Sequence, residues 1–335
     1  MLRIGVIGAG RMSRIHLENI MRHVPDADVV AVADTRLRAA EEAADQFRIP
    51  RALSDHGEIL NDPTIQAVVI CSPSPTHPQI IRESALAAKH IFCEKPIGFD
   101  LKAIDLALAA VEKAGVKLQI GFNRRFDANF HRVWKMVDAG KVGTPHVLRI
   151  TSRDPEPPSP DYVRTWGGVF LETSIHDFDM ARYIMGSEAV EIYAAGGVLV
   201  HTDFAASGDL DTVVITIRFA NGAIGTIDNS YQAVYGYDQR LEVFGDAGMM
   251  RIENNTTDTH IHADTSGIHS AQPLYFFIER YQASYLAEMK EFVTAIQKDT
   301  QPLVGGVDGR ASIVMALAAR KSYDEHRIVQ LDEFD

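Results

Sequence analysis

Short, continuous apolar runs alternate with stretches of helical periodicity along the first third of the chain. "LRIGVIG" (2–8), "DVVAVAD" (28–34), "AVVICSP" (67–73), "HIFCEKP" (90–96) and "KLQIGF" (117–122) have the uninterrupted Val/Ile character of strands buried on both faces. "RMSRIHLENIMRH" (11–23), "RLRAAEEAADQF" (36–47) and the stretches at about 78–89 and 101–114 repeat their apolar positions at helical spacing. Such alternation predicts a doubly wound parallel sheet with helices on both faces.

After Phe122 the pattern changes. A helix is predicted near 128–139, a strand over "HVLRITSRD" (146–154), a Pro-rich loop, and then a helix running to about Met185. From 190 to 252 alternating runs are separated by turns, and Asn221-Gly222 between two of them is a hairpin signal. These strands predict one large, mostly antiparallel open sheet. The polar stretch 253–272 reads as a long loop, and helices return at about 281–298 and 309–323. The expected fold is therefore α/β followed by α+β, with domains at 1–122 and 123–335. A length of 335 residues, too great for one typical core, agrees.

The net charge of −12 argues against nucleic acid or an anionic membrane as partner, since phosphate would be repelled. No apolar run approaches the ~20 residues needed to span a bilayer, and the first strand begins at Leu2, leaving no room for a signal peptide. Cys71 and Cys93, the only cysteines, sit in apolar runs and read as reduced core residues of a cytoplasmic protein.

The chemistry concentrates at strand ends. Gly8-x-Gly10 closes the first strand and opens a helix, with Arg11 and Met12 in its first turn and Ser13 at the third small position. Glycines there permit a tight turn and close approach of a pyrophosphate to the helix N-terminus. Asp34 ends the second strand, ~20 residues further on, where a carboxylate accepts ribose hydroxyls and repels a 2′-phosphate. This favours NAD over NADP, with Arg36 and Arg38 as the opposing signal. "CSPSPTHPQ" (71–79) leaves the next strand with Ser72, Pro73, Thr76 and His77 where a ligand would sit, and Glu94-Lys95 end the strand after that. A charged pair at the end of an apolar strand needs partners or a task.

"GGVFLETSIHDFDM" (167–180) places Glu172, His176, Asp179 and Tyr183 four, three and four residues apart, on one face if the segment is a single helix. A face meant only for a core would carry Leu or Ile there. "THIHADTSGIH" (259–269) holds His260, His262 and His269, but no acid or thiol at helical spacing joins them. A covering loop is the reading there, with no metal expected.

"GVIGAGRMS", Asp34, "CEKP", "GFNRRFD" and "GGVFLETSIHDFDMARYIMG" together resemble the Gfo/Idh/MocA oxidoreductases over the whole chain. "SRDPEPP", "IHDFDMARY" and "ANGAIGTIDNS" resemble their inositol 2-dehydrogenase branch. The resemblance implies a Rossmann domain, a second domain whose sheet assembles homotetramers, and NAD-dependent oxidation of a secondary hydroxyl of myo-inositol, a stereoisomer, or a related polyol. It implies Lys95, Glu172 and His176 as the catalytic set. His176 is suited as the base, Lys95 stabilises the developing alkoxide, and Glu172 orients the imidazole or binds a hydroxyl. It implies Gly8, Gly10, Arg11, Met12, Asp34, Ser72, Pro73, Thr76, His77, Glu94, Lys95 and Asn123 around the nucleotide. Around the substrate it implies Lys95, Asn123, Arg125, Asp154, Glu172, Thr173, His176 and Tyr235, with Tyr237 close by.

One departure stands out: the family has Asp where this chain has Glu172, and Trp166 precedes the glycine pair. An extra methylene moves the carboxylate by ~1 Å, a displacement that can cost on the order of 100-fold in rate. A pyranose or another inositol isomer as substrate, a sugar-ketone reductase using NADPH, and a nucleotide-sensing binding protein without turnover are the alternatives.

Overall fold

Six strands form the first sheet: β1 (Leu2–Ile7), β2 (Ala27–Ala33), β3 (Ala52–Leu53), β4 (Ala67–Ile70), β5 (His90–Glu94) and β6 (Leu118–Gly121). Their order is β3-β2-β1-β4-β5-β6, and each pair is parallel. The chain reverses its direction of travel through the sheet between β1 and β4, the point at whose carboxyl ends open α/β sheets bind ligands. Burial explains the strand composition: Ile4, Val6, Val29, Val32, Val69 and Phe92 lie in one core with Leu17 and Ile20 of the helix Arg11–His23. Met289, Phe292 and Val293 complete that core from the helix Phe277–Gln297.

This computed structural model describes residues 1–159 and 167–334. The chain divides into two compact units, Met1–Phe126 with Ala283–Ile313, and Asp127–Gln282 with Val314–Asp335. The expected single cut at 122/123 therefore misses a return: the segment 283–313 packs with the first unit, because the apolar face of its helix finishes the core beneath β1.

The second unit is built on a seven-stranded sheet. Its strands are β7 (Pro145–Arg153), β8 (Ala189–Gly197), β9 (Thr212–Phe219), β10 (Ile224–Ser230), β11 (Asp238–Gly245) and β12 (Gly248–Ile252). A short hairpin of β13 (Ile261–Asp264) and β14 (Gly267–Ser270) stands apart, and β15 (Val329–Gln330) closes one edge. The order is β12-β11-β7-β10-β9-β8-β15. All pairs are antiparallel except β10 with β7, which are parallel. In β9 Val213, Ile215, Ile217 and Phe219 are buried while Val214, Thr216 and Arg218 are exposed, the alternation of a one-sided sheet. The Asn221-Gly222 turn joins β9 to β10 with Gly222 at φ 87°, in the left-handed region. The segment read as a loop over 253–272 carries the hairpin β13–β14 instead. Every residue of β13 is exposed, so no apolar alternation announced it.

Candidate active site

In the first unit the glycine turn is shaped by steric necessity. Gly8 has φ 97°, and a Cβ there would lie 2.7 Å from the Cys71 carbonyl. Gly10 precedes the helix Arg11–His23 in an extended conformation, with open space where its Cβ would stand. Ser13 returns its hydroxyl to the Gly10 carbonyl at 3.0 Å. Asp34 grips the same turn: its carboxylate accepts the Ala9 N–H and the Arg36 N–H, each at 2.9 Å. The Arg36 guanidinium lies 3.6 Å from Asp34 and that of Arg38 lies 3.1 Å from Glu42, so each arginine of the opposing signal has a local acidic partner. A cradle that tolerates no Cβ at Gly8, a helix N-terminus and a carboxylate at the end of β2 fit a dinucleotide.

The loop after β4 is tied to the end of β5. Ser72 and Thr76 share a hydroxyl contact of 2.7 Å. His77 sets one ring nitrogen 2.7 Å from the Pro96 carbonyl oxygen and the other 2.8 Å from that of Ser72. Burial pushes this imidazole towards its neutral form, which donates to one carbonyl at a time. Lys95, half-buried, follows directly on β5, and the Lys95–Pro96 peptide after it is cis. Glu94 is buried: His16 Nε2 donates to its carboxylate at 2.6 Å and the Lys95 N–H donates to its other oxygen at 3.2 Å. Asn123 is buried and reaches Ser284 Oγ at 3.4 Å. Arg125, expected against substrate, is engaged by Asp308 at 2.9 Å and the Leu303 carbonyl at 3.3 Å.

In the second unit the predicted helix is broken in two, Val169–Glu172 and Ser174–Met185, with Thr173 between them. Gly167 and Gly168 have φ 93° and 92°, and a Cβ on Gly168 would meet Asp209 at 3.0 Å. Both Asp209 carboxylate oxygens accept the Val169 N–H, at 3.1 and 3.2 Å, capping the short helix from a distant loop. Trp166 lies outside the described residues.

Every residue of the helix Ser174–Met185 is buried except His176, which is half-exposed, as is Glu172. The polar line seen in the sequence thus splits. Glu172 and His176 reach solvent, whereas Asp179 and Tyr183 are interior, Tyr183 hydrogen-bonded to His131 at 2.9 Å and stacked on Trp134. The helix is pinned to the sheet by polar contacts: Asn229 donates to Asp177 at 2.7 Å and accepts from Ser174 at 2.6 Å. Ser152 and Tyr281 both donate to Gln239, at 3.0 and 3.3 Å.

Thr173 Oγ1 is hydrogen-bonded to the buried Tyr231 hydroxyl, whose ring stacks on Phe204. Burial, then the charge of Asp154, push the Tyr231 phenol well up, so it remains a protonated donor. Asp154, half-exposed at the end of β7, is fixed through its backbone to Ser230 and Ala233. Tyr235, 40% exposed, donates to Asp238 at 2.6 Å, while Tyr237 packs edge-on against Tyr281. Of the histidine-rich segment, His262 and His269 face each other across the hairpin with ring centroids 6.0 Å apart, and His260 bonds Asp258 outside the strand.

Sequence reasoning missed His16, Glu288, Asp209, Asn229 and Tyr231. Each is a polar residue whose partner is remote in the chain, and none stands in a recognisable spacing.

The profile described as "Oxidoreductase family, NAD-binding Rossmann fold" matches residues 2–122, and "GFO/IDH/MocA C-terminal domain" matches 130–251. The chain is similar to myo-inositol 2-dehydrogenase of Thermotoga maritima, with 46% identity over 99% of each chain. It superposes on a probable dehydrogenase from Thermotoga maritima with a TM-score of 0.97 at 46% identity, over 100% of both chains. It also superposes on scyllo-inositol dehydrogenase from Lactobacillus casei, solved with NAD(H) and scyllo-inositol, with a TM-score of 0.93 at 29% identity over 99% of each chain.

Proposed function

The chain belongs to the Gfo/Idh/MocA oxidoreductase family, and we propose that it oxidises a secondary hydroxyl of a cyclitol, myo-inositol or a stereoisomer, to the ketone with NAD⁺. The observation that carries the reading is a half-exposed His176 on an otherwise buried helix, one turn from a half-exposed Glu172. When bound, NAD⁺ supplies the nicotinamide carbon that takes the hydride.

The residues then divide the remaining work. Gly8, Gly10 and the first turn of the helix Arg11–His23 hold the pyrophosphate, and Asp34 holds the ribose and rejects a 2′-phosphate. Ser72, Pro73, Thr76 and His77 line the nucleotide. The His176 imidazole takes the hydroxyl proton, and the Lys95 ammonium stabilises the negative charge that grows on the alcohol oxygen. Glu172 fixes the imidazole or an adjacent hydroxyl. Asp154, Thr173, Asn123 and Tyr235 read neighbouring hydroxyls. Arg125, bridged to Asp308, braces the Asn123 turn.

We place homotetramer assembly on the exposed sheet face. Ile224, Val147, Phe244 and Met249 stand in register across β10, β7, β11 and β12, and Ile224, Phe244 and Met249 are exposed. Among the described residues no helix is long and apolar enough to cross a membrane, and we assign the protein to the cytoplasm.

The test follows NADH formation from NAD⁺ with myo-, scyllo- and D-chiro-inositol, D-glucose, L-glucose and xylose. Preference for an inositol supports the assignment. Turnover only on a pyranose overturns it and makes Glu172 a specificity change, to be checked by the profile of Glu172→Asp. NAD⁺ binding without turnover on any polyol would mean a sensor rather than an enzyme.

A further inference from the structure

Beneath the lysine turn, the first unit buries two carboxyl groups and one imidazole. His16 comes from the helix Arg11–His23, Glu94 from the end of β5, and Glu288 from the helix Phe277–Gln297. One nitrogen or carboxylate oxygen of each lies within 4.8 Å of the others, and His16 and Glu288 have no exposed surface. The surroundings are apolar: Phe92 and Tyr285 set their rings edge-on to His16 at 5.0 and 6.1 Å.

The three groups are not equivalent. Glu94 has its acceptors occupied, one oxygen by His16 and the other by the Lys95 N–H. Glu288 has neither oxygen hydrogen-bonded to a described residue. Two ionised carboxylates beside a single imidazole would leave at least one uncompensated negative charge in this interior. Burial, then the charge of Glu94, push the Glu288 carboxyl well above the ordinary range. The other ionisable groups facing it do not offset this. The Cys71 thiol at the end of β4 is itself pushed up by burial, then by the charge of Glu94, and so stays neutral. Gln119 of β6 donates only to the Glu288 backbone carbonyl, at 2.9 Å.

We propose that Glu288 is a positioning residue of the lysine turn: packed as a neutral acid within 4.8 Å of His16 and Glu94, it adds no second buried charge, so that the Glu94 carboxylate keeps its place between His16 and the Lys95 N–H. The Glu94 carboxylate lies against Gly121, where a Cβ would come within 3.1 Å of it, so the glycine leaves it the room it occupies. The functional half of the proposal rests on assigning Lys95 to the reaction.

The test compares the wild type with Glu288→Gln, which copies the neutral acid, and Glu288→Ala, which removes it. Infrared spectra at neutral pH are expected to show a protonated-carboxyl carbonyl band in the wild type that Glu288→Gln lacks. With NAD⁺ and myo-inositol, Glu288→Gln should keep kcat within about threefold, while Glu288→Ala loses about tenfold in kcat with KM for NAD⁺ unchanged. The melting temperature adds a sign. A carboxyl with a raised folded-state pKa binds its proton in the folded state where the unfolded state has lost it, so stability falls as pH rises above about 4. That fall should be shallower in Glu288→Gln. Absence of the infrared band in the wild type overturns the proposal. So does a tenfold or greater loss in a folded Glu288→Gln, or one divalent metal per chain that Glu288→Gln fails to bind. Full activity of Lys95→Ala would instead sink the assignment of Lys95, and the infrared band would still decide the state of Glu288.

Discussion

The two units hold their key side chains by different means. In the first, the turn carrying Lys95 rests on ionisable groups, His16, Glu94 and Glu288, shut in an apolar interior. In the second, the helix carrying His176 is pinned by Asn229, whose side-chain amide donates to the Asp177 carboxylate and accepts from the Ser174 hydroxyl. A charged support is stiff but answers to pH. A support in which a carboxylate accepts from a neutral amide rests on one hydrogen-bonded acid instead of a cluster of ionisable groups. The lysine and the histidine are thus placed with different sensitivities to their surroundings.

The sharpest way to break the comparison is at the residues being held. His176→Ala should lower kcat/KM by about 10²–10⁴-fold, and Lys95→Ala by a similar factor, in initial-rate NADH assays on protein whose circular dichroism is unchanged. Asp177→Ala acts next, because Asn229 loses its buried carboxylate partner. A loss of about 2–4 kcal/mol in urea unfolding is expected, with activity falling only as the fold weakens.

Much of the first unit was legible because its strands are buried on both faces and announce themselves as unbroken Val/Ile runs. The strands of the second sheet were legible from alternation, but alternation says which face is buried and not which way the neighbour runs, so the parallel pairing of β10 with β7 was invisible. The hairpin β13–β14 was missed because it has no buried face. The break at Thr173 was missed because threonine is no helix breaker; the hydroxyl contact to Tyr231, 58 residues away, holds it. Glu94 shows the same limit for the site. Its motif was plain, yet its task was not, since the partner His16 lies 78 residues earlier. A helix also does not state what its apolar face will meet, which is why the return of 283–313 to the first unit went unread.

Asp34→Ala sharpens the comparison on the nucleotide side. It removes the acceptor of the Ala9 N–H in the glycine turn and that of the Arg36 N–H after β2 and should raise KM for NAD⁺ by about 10–100-fold with little change in kcat, while narrowing the preference over NADP⁺. Least of all should follow from His262→Ala in the exposed hairpin. A change within about 0.5 kcal/mol is expected, and treatment with a chelator should leave NADH formation unaltered.

The return of Ala283–Ile313 also has a consequence for how the protein is made. The nucleotide-binding half is begun first by the ribosome, but Met289, Phe292 and Val293 belong to its core. At ~5–20 residues per second, the interval between the emergence of Phe126 and of Ile313 is on the order of 10–40 s. Throughout that time the sheet exists with part of its apolar face unmet and with Glu94 lacking the neighbour Glu288. The half that is translated first is therefore not finished until the chain is nearly complete, and a nascent chain stalled before the final helices would carry an open core for chaperones or proteases to find.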